Sequence, residues 1–228
     1  RPPSGRSAIM SVAIIDYGSG NLRSAAKSFE RGVAEDGLTL DVLVTADPDQ
    51  VRKASHIVLP GVGAFGDCRR GLMALDGMVD ALTEAAIKEA KPFFGICVGM
   101  QLMATYGREH GDHEGLGWLE GEVRELTPTD KSLKIPHMGW NVLDVQALSH
   151  PLFQDLGTDA HVYFVHSYHV RCENKADVAA WCEFGNDFAC AIENDNVFAT
   201  QFHPEKSQSG GIQLINNYVA LCGGATCL

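Results

Sequence analysis

The stretch Phe94-Gly95-Ile96-Cys97-Val98-Gly99-Met100-Gln101 constrains the fold more than any other part of the chain, because it sets one cysteine between two glycines where one periodicity gives way to another. Lys91-Pro92-Phe93-Phe94 reads as a short buried strand, and Met100-Gln101-Leu102-Met103-Ala104 reads as a helix. Cys97 therefore falls at a strand-to-helix elbow, the geometry that lifts a nucleophile above the end of a sheet. Without a Cβ, Gly95 and Gly99 let the backbone turn sharply and the helix approach the sheet. The unpaired N–H groups and positive dipole at the helix start favour thiolate over thiol. An ordinary thiol, with a pKa of ~8.5, is half ionised at neutral pH once that value falls by about 1.5.

A base is available near the other end of the chain, in Ala199-Thr200-Gln201-Phe202-His203-Pro204-Glu205-Lys206. Pro204 pushes His203 out of the helical region, so an extended tripeptide is expected, with Glu205 on the same side as His203. The carboxylate then holds one ring nitrogen and leaves the other for Cys97, in the nucleophile, base and orienter arrangement of covalent catalysis. Acyl transfer also needs oxyanion donors. His56-Ile57-Val58-Leu59-Pro60-Gly61-Val62-Gly63 reads as a strand ending in a glycine turn, and the N–H groups of Val62 and Gly63, with that of Val98, are the natural candidates.

Around these segments the chain alternates strand and helix. Ser11–Asp16 reads as a strand, followed by a helix carrying Leu22, Ala25, Ala26 and Phe29 on one face. Asp41–Thr45 and His56–Pro60 read as strands, Leu72–Ala90 as largely helical, and Lys91–Ile96 as the strand into the elbow. This predicts an α/β fold with a mostly parallel central sheet flanked by helices. From Gly121 onward short alternating segments predict additional antiparallel strands in the C-terminal half. A final helix is expected to carry Ile212, Leu214, Ile215, Tyr218 and Val219. Residues 1–10 read as a tag remnant or extension, and residues 11–228 as a single domain.

Taken together, these residues resemble the class I (triad) glutamine amidotransferases, with their strand-end glycine turn, Gly-x-Cys-x-Gly-x-Gln elbow and terminal His-Pro-Glu. Asp16-Tyr17-Gly18-Ser19-Gly20-Asn21-Leu22, Ile135-Pro136-His137-Met138-Gly139-Trp140-Asn141, Tyr163-Phe164-Val165-His166-Ser167-Tyr168 and Phe202-His203-Pro204-Glu205-Lys206 are similar, more narrowly, to the glutaminase subunits of imidazole glycerol phosphate synthase. The resemblance implies a class I amidotransferase-like fold and hydrolysis of L-glutamine through a Cys97 thioester, with His203 as base and acid and Glu205 as orienter. It implies glutamine binding by Gly63, Gln101, Glu109, Ser167 and Tyr168, although Met103–Arg108 before Glu109 departs from the usual acidic run. It implies a heterodimer with a (β/α)8 cyclase subunit in histidine biosynthesis, with Asn21, Trp140, Asn141 and Lys206 facing that partner, and no cofactor. A different triad amidotransferase and a non-catalytic regulatory subunit of the same fold are the rivals; Pro136–Asn141 argues against the first and the intact triad against the second.

Other signals read as structure. Gly61-x-Gly63-x-x-Gly66 matches a dinucleotide fingerprint in letters, yet it is not the first βα unit, and no acidic residue ends a following strand ~20 positions on. His110-Gly111-Asp112-His113-Glu114 is flanked by glycines and reads as a solvated loop rather than a metal site. His161, His166 and His169 divide between strand faces. A net charge of −11 argues against nucleic acid, and no apolar run reaches the ~18 residues of a membrane span. Seven cysteines without a C-x-x-C pair read as free thiols, and the expected compartment is the cytoplasm.

Overall fold

The computed structural model describes residues 10–147, 149–157 and 159–221. Eight strands form the central sheet: β1 (Met10–Ile15), β2 (Leu40–Thr45), β3 (His56–Gly61), β4 (Phe93–Cys97), β9 (Asp144–Val145), β12 (Val178–Glu183), β13 (Asp187–Asn194) and β14 (Val197–Thr200). Their spatial order is β2-β1-β3-β4-β14-β13-β12-β9. The pairings from β2 to β14 are parallel, and those from β14 to β9 are antiparallel. Every residue of β3 and β4 is buried, as a parallel strand covered on both faces requires. The expected mixed α/β sheet is thus present, with its antiparallel strands in the C-terminal half.

Helix α1 (Leu22–Glu35) buries Ala25, Phe29, Gly32 and Val33, one stripe of a 3.6-residue period. It packs on α6 (Gln208–Val219), which buries Gly211, Leu214, Ile215, Tyr218 and Val219. The approach is close: a Cβ on Gly32 would meet Ile215 Cγ2 at 2.8 Å. Tyr218 joins the helix layer to the sheet, its buried hydroxyl lying 2.8 Å from Ile57 O, 2.9 Å from Pro92 O and 3.1 Å from Ile57 N. A short helix, α2 (Pro48–Lys53), is capped by Asp47 and was not anticipated.

The segment Leu72–Ala90 is largely helical, as expected, but in separate pieces. Helix α3 starts earlier and runs Phe65–Met73, the chain reverses at Gly77 with φ +72°, and α4 (Met78–Thr83) continues into a wider turn, Glu84–Lys88. The elbow helix α5 (Val98–Leu102) starts and ends two residues earlier than the expected Met100–Ala104. The carbonyls of Leu102, Met103 and Ala104 accept from Leu116, Leu119 and Gly117, so tertiary partners replace the next helical turn. A second sheet follows, in the order β11-β7-β5-β6, made of β5 (Ala104–Gly107), β6 (His113–Glu114), β7 (Leu119–Glu125) and β11 (Tyr168–Cys172). Strands β8 (His137–Val142) and β10 (His161–His166) form a separate antiparallel ribbon.

Candidate active site

The site grows out of one register. Parallel pairing sets Gly61 opposite Cys97 and Thr200 opposite Ile96, so β3, β4 and β14 end at the same edge of the sheet. In open α/β sheets that edge is where ligands bind. Beyond it, the glycine turn after β3, the elbow after β4 and the segment 201–205 after β14 converge.

Cys97 occupies φ +56°, ψ −109°, backbone space that a residue with a Cβ rarely adopts. The elbow tolerates it because α5 is pressed onto β3: a Cβ on Gly99 would collide with the Leu59 carbonyl. Cys97 is 4% exposed and lines a cavity of about 260 Å³ with Val62, Gly63, Val98, Gln101, Glu109, Pro136, Val165, His166, Ser167, Tyr168 and His203. This lies near the lower end of ligand pockets, ~300–1,000 Å³, and suits an amino acid. A larger cleft of about 590 Å³, lined by Arg108, Arg124, His169, Arg171 and Phe184 among others, shares Tyr168 and contains no candidate nucleophile. Burial pushes Cys172 and Cys182 up to about 12 and Cys190 well above its ordinary value, leaving them protonated. Cys68, Cys97, Cys172, Cys182 and Cys190 are all free; Cys222 and Cys227 lie outside the described residues.

His203 Nδ1 sits 2.8 Å from Glu205 Oε1, with side chains 2% and 4% exposed. The route differs from the expected extended tripeptide. His203 is extended (φ −100°, ψ 98°), but Pro204–Lys206 forms a 3-10 turn that swings Glu205 back under the ring. Ser207 Oγ donates to His203 O, and the His203 N–H donates to Tyr163 O, which pins the turn. Nε2 is buried, has no hydrogen-bond partner among the described residues, and belongs to a ring that lines the same cavity as Cys97. Burial alone would lower the pKa of this ring, but interaction with Cys97, then Glu205, outweighs it and raises the pKa to about 9. The ring is thereby biased toward its protonated form.

Val62 departs from its expected role. Its N–H donates to Ser19 Oγ at 3.0 Å, and its carbonyl accepts from Ser19 Oγ at 2.7 Å and Cys68 Sγ at 3.3 Å. An N–H engaged by a side chain 43 residues away is not free for an oxyanion. Gly63 and Val98 line the cavity, and neither N–H has a partner among the described residues. Gly63 reaches its place with φ +96°. Glu109 joins the cavity wall, and its Oε2 accepts from Phe65 N at the start of α3. Gly66 lies inside α3 under the His113 ring, where a Cβ would meet Cε1 at 2.9 Å, so the fingerprint glycine serves packing.

Of the residues expected to face a partner, Asn21 and Lys206 are exposed and Trp140 is 47% exposed. Asn141 is turned inward, donating to Glu183 O and approaching His137 Nε2. Sequence reasoning missed Gln201 and His166. Gln201 is fully buried and donates to Cys97 Sγ at 3.6 Å, and His166 lines the cavity with Nδ1 on Tyr168 O. Both stand in segments already singled out, yet nothing local distinguishes them from packing residues.

The model of the class I glutamine amidotransferase family matches residues 13–220. The chain belongs to that family. It is 54% identical over 210 residues to the imidazole glycerol phosphate synthase subunit HisH of Rhodospirillum rubrum, covering 92% of this chain and 98% of that protein. It is 55% identical over 213 residues to the HisH of Bradyrhizobium diazoefficiens, with the same coverage. The fold is shared with a solved glutamine amidotransferase at TM-score 0.66 and 17% identity, covering 91% of this chain and 96% of that one. A second, from Thermotoga maritima, gives a TM-score of 0.61 at 17% identity, covering 92% of this chain and 83% of that one. As a class I amidotransferase this chain is a glutaminase.

Proposed function

We propose that this chain is the glutaminase subunit of an imidazole glycerol phosphate synthase, hydrolysing L-glutamine to glutamate and ammonia and delivering the ammonia to a separate (β/α)8 cyclase subunit. The observation that carries the reading is the Glu205–His203–Cys97 line in a cavity of amino-acid size, in a chain matching HisH proteins over nearly their whole length.

In this reading the Cys97 thiolate attacks the side-chain amide carbon, and the negative oxygen that forms lies between the N–H groups of Gly63 and Val98. His203 Nε2–H passes its proton to the departing nitrogen, which leaves as ammonia. Water then attacks the γ-glutamyl thioester while Nε2 takes its proton, and glutamate and thiolate are released. Glu205 keeps Nδ1 protonated throughout. A positioned acid–base group supplies ~10²–10⁴ in rate and one oxyanion donor ~10²–10³. Gln101 offers the substrate only its oxygen, because its Nε2 already donates to Tyr168 O and Gln201 Oε1. Glu109, Ser167 and Tyr168 complete the binding wall. No step needs a cofactor.

A partner is chemically required, since ammonia released to neutral water is mostly protonated and no longer nucleophilic. The docking face we assign is the exposed apolar set Met138, Trp140 and Val142 on β8, with Asn21 and Lys206. With the Val62 N–H engaged by Ser19, docking of the acceptor-loaded partner frees it to join those of Gly63 and Val98 at the oxyanion, which completes the hole and switches the glutaminase on. We place the protein in the cytoplasm, without membrane or nucleic-acid partners. No helix among the described residues is long and apolar enough to cross a membrane, and the net charge is −11.

The test is synthesis with the cyclase from glutamine or from ammonium salts. Cys97→Ala should bind the cyclase and support synthesis from ammonium but not from glutamine; glutamine-dependent synthesis by the variant overturns the assignment. Equal glutaminase rates for the isolated chain and the loaded complex would overturn the switching role of Val62.

A further inference from the structure

We propose that Gln201 is a hydrogen-bond donor to the Cys97 thiolate, oriented by a relay of groups that leaves its carboxamide only one way round. The inference rests on the glutaminase reading and names a residue for the same reaction outside the triad and oxyanion donors.

The orientation of a carboxamide is set by what surrounds it, since its oxygen and nitrogen have nearly the same shape. Here the surroundings determine it. A backbone carbonyl only accepts, so the Gln101 atom 3.1 Å from Tyr168 O is nitrogen. That nitrogen also lies 3.2 Å from the Gln201 carboxamide, whose nearer atom must therefore be oxygen. The remaining end of Gln201 is its NH2 group, and it faces Cys97 Sγ at 3.6 Å. Inverting Gln201 would set N–H against N–H at Gln101 and oxygen against sulfur at Cys97.

The same carbonyl anchors a second branch. His166 Nδ1 donates to Tyr168 O at 2.9 Å, so its Nε2 is an acceptor, and His137 Nδ1 donates to it at 3.0 Å. Neither ring needs to be charged for this chain, and burial lowers His137 to about 4 and His166 to about 3. Tyr168 O is thus held by two donors, and the Gln101 position is held with it. Gln201 is fully buried and Gln101 is 3% exposed, so water does not compete for these groups.

A donor aimed at sulfur acts on one ionisation state. A thiol is a weak acceptor, whereas a thiolate is a charged one, and hydrogen bonds to charged groups are the stronger class. Gln201 therefore favours the attacking form of Cys97 without taking or giving a proton. Loss of this donor should raise the Cys97 thiol pKa by about 1–2, the span expected for one hydrogen bond to a charged group.

The experiment measures the rate of Cys97 alkylation by iodoacetamide against pH in the full chain, with the modified peptide resolved by mass spectrometry and Cys97→Ala as the blank. Gln201→Met should move the alkylation midpoint up by about 1–2 pH, and the acid limb of kcat/KM for glutamine should move with it. Gln201→Glu keeps an oxygen toward Gln101 and sets a carboxylate against sulfur, so its midpoint should rise further. An unchanged midpoint in a folded variant overturns the proposal and leaves the glutaminase reading standing; Cys97→Ala with full glutaminase activity would overturn both. In the unmutated chain the Gln201 side-chain amide proton resonances should shift on titration of Cys97 and stay still in Cys97→Ala. Resonances that ignore the titration overturn the proposal even if neither Gln201 variant folds.

Discussion

Glu205→Gln isolates the charge at the foot of the triad. The substitution preserves shape and leaves an oxygen to accept from His203 Nδ1, now 2.8 Å from Glu205 Oε1, while removing the negative charge. His203 rises from an ordinary 6.5 to about 9 because Cys97 first, and Glu205 second, outweigh the effect of burial. That difference is worth about 3 kcal/mol. Burial opposes the rise, so Cys97 and Glu205 together supply more than that difference; the share of the carboxylate is on the order of 1–2 kcal/mol, and at 2% and 4% exposure solvent screens little of it. The sign follows from the direction: a folded-state value above the unfolded one stabilises fully below about 6.5 and loses that stabilisation as pH rises through 9.

The variant should therefore melt about 2–8 °C below the parent at pH 6.5, at ~2–4 °C per kcal/mol for a chain of this size. The offset should vanish or reverse by pH 10.5, where the parent holds a buried carboxylate beside a neutral ring. Calorimetry at four pH values between these limits, with NMR titration of the His203 ring, measures both quantities. Glutamine hydrolysis should fall by ~10², the lower bound for a displaced base. A melting offset equal at pH 6.5 and 10.5 would refute the argument, since a shape defect does not titrate.

Two further substitutions probe the scaffold. Gly99→Ala drives a methyl into the Leu59 carbonyl, which the β3–β4 pairing holds in place, so the elbow should shift and glutaminase activity should drop at least tenfold with the sheet retained by circular dichroism. Tyr218→Phe leaves Ile57 N without its side-chain acceptor and removes the donor to Ile57 O and Pro92 O, so denaturant titration should show a loss of about 1–3 kcal/mol with m unchanged.

What could be read from the amino-acid order divides along a physical line. The elbow, the strand-end glycine turn and the final helix are local patterns, each written in residues a few positions apart, and each forms where its periodicity changes. The convergence of Cys97 with His203 needed one further step, the parallel register that sets Gly61 beside Cys97 and Thr200 beside Ile96. Alternation of buried strands and helices predicted the parallel sheet but not this register, and the pairing of Cys97 with His203 was expected from the two motifs and the resemblance they carry. Polar contacts across long separations leave no such trace. Ser19 meets Val62 across 43 residues, Gln101 meets Tyr168 across 67, and Gln201 meets Cys97 across 104. None of these pairs has a period or a spacing, so a buried glutamine between Thr200 and Phe202 looks like filler until the groups around it are in place. The early end of the elbow helix has the same origin: Leu102, Met103 and Ala104 have helical neighbours in sequence, but their carbonyls find residues 116–119 first. Local pattern thus sets where the nucleophile and base stand, whereas the hydrogen-bond partners that tune them are settled by the packed fold. The residues that govern how readily Cys97 ionises are accordingly the ones a linear reading passes over.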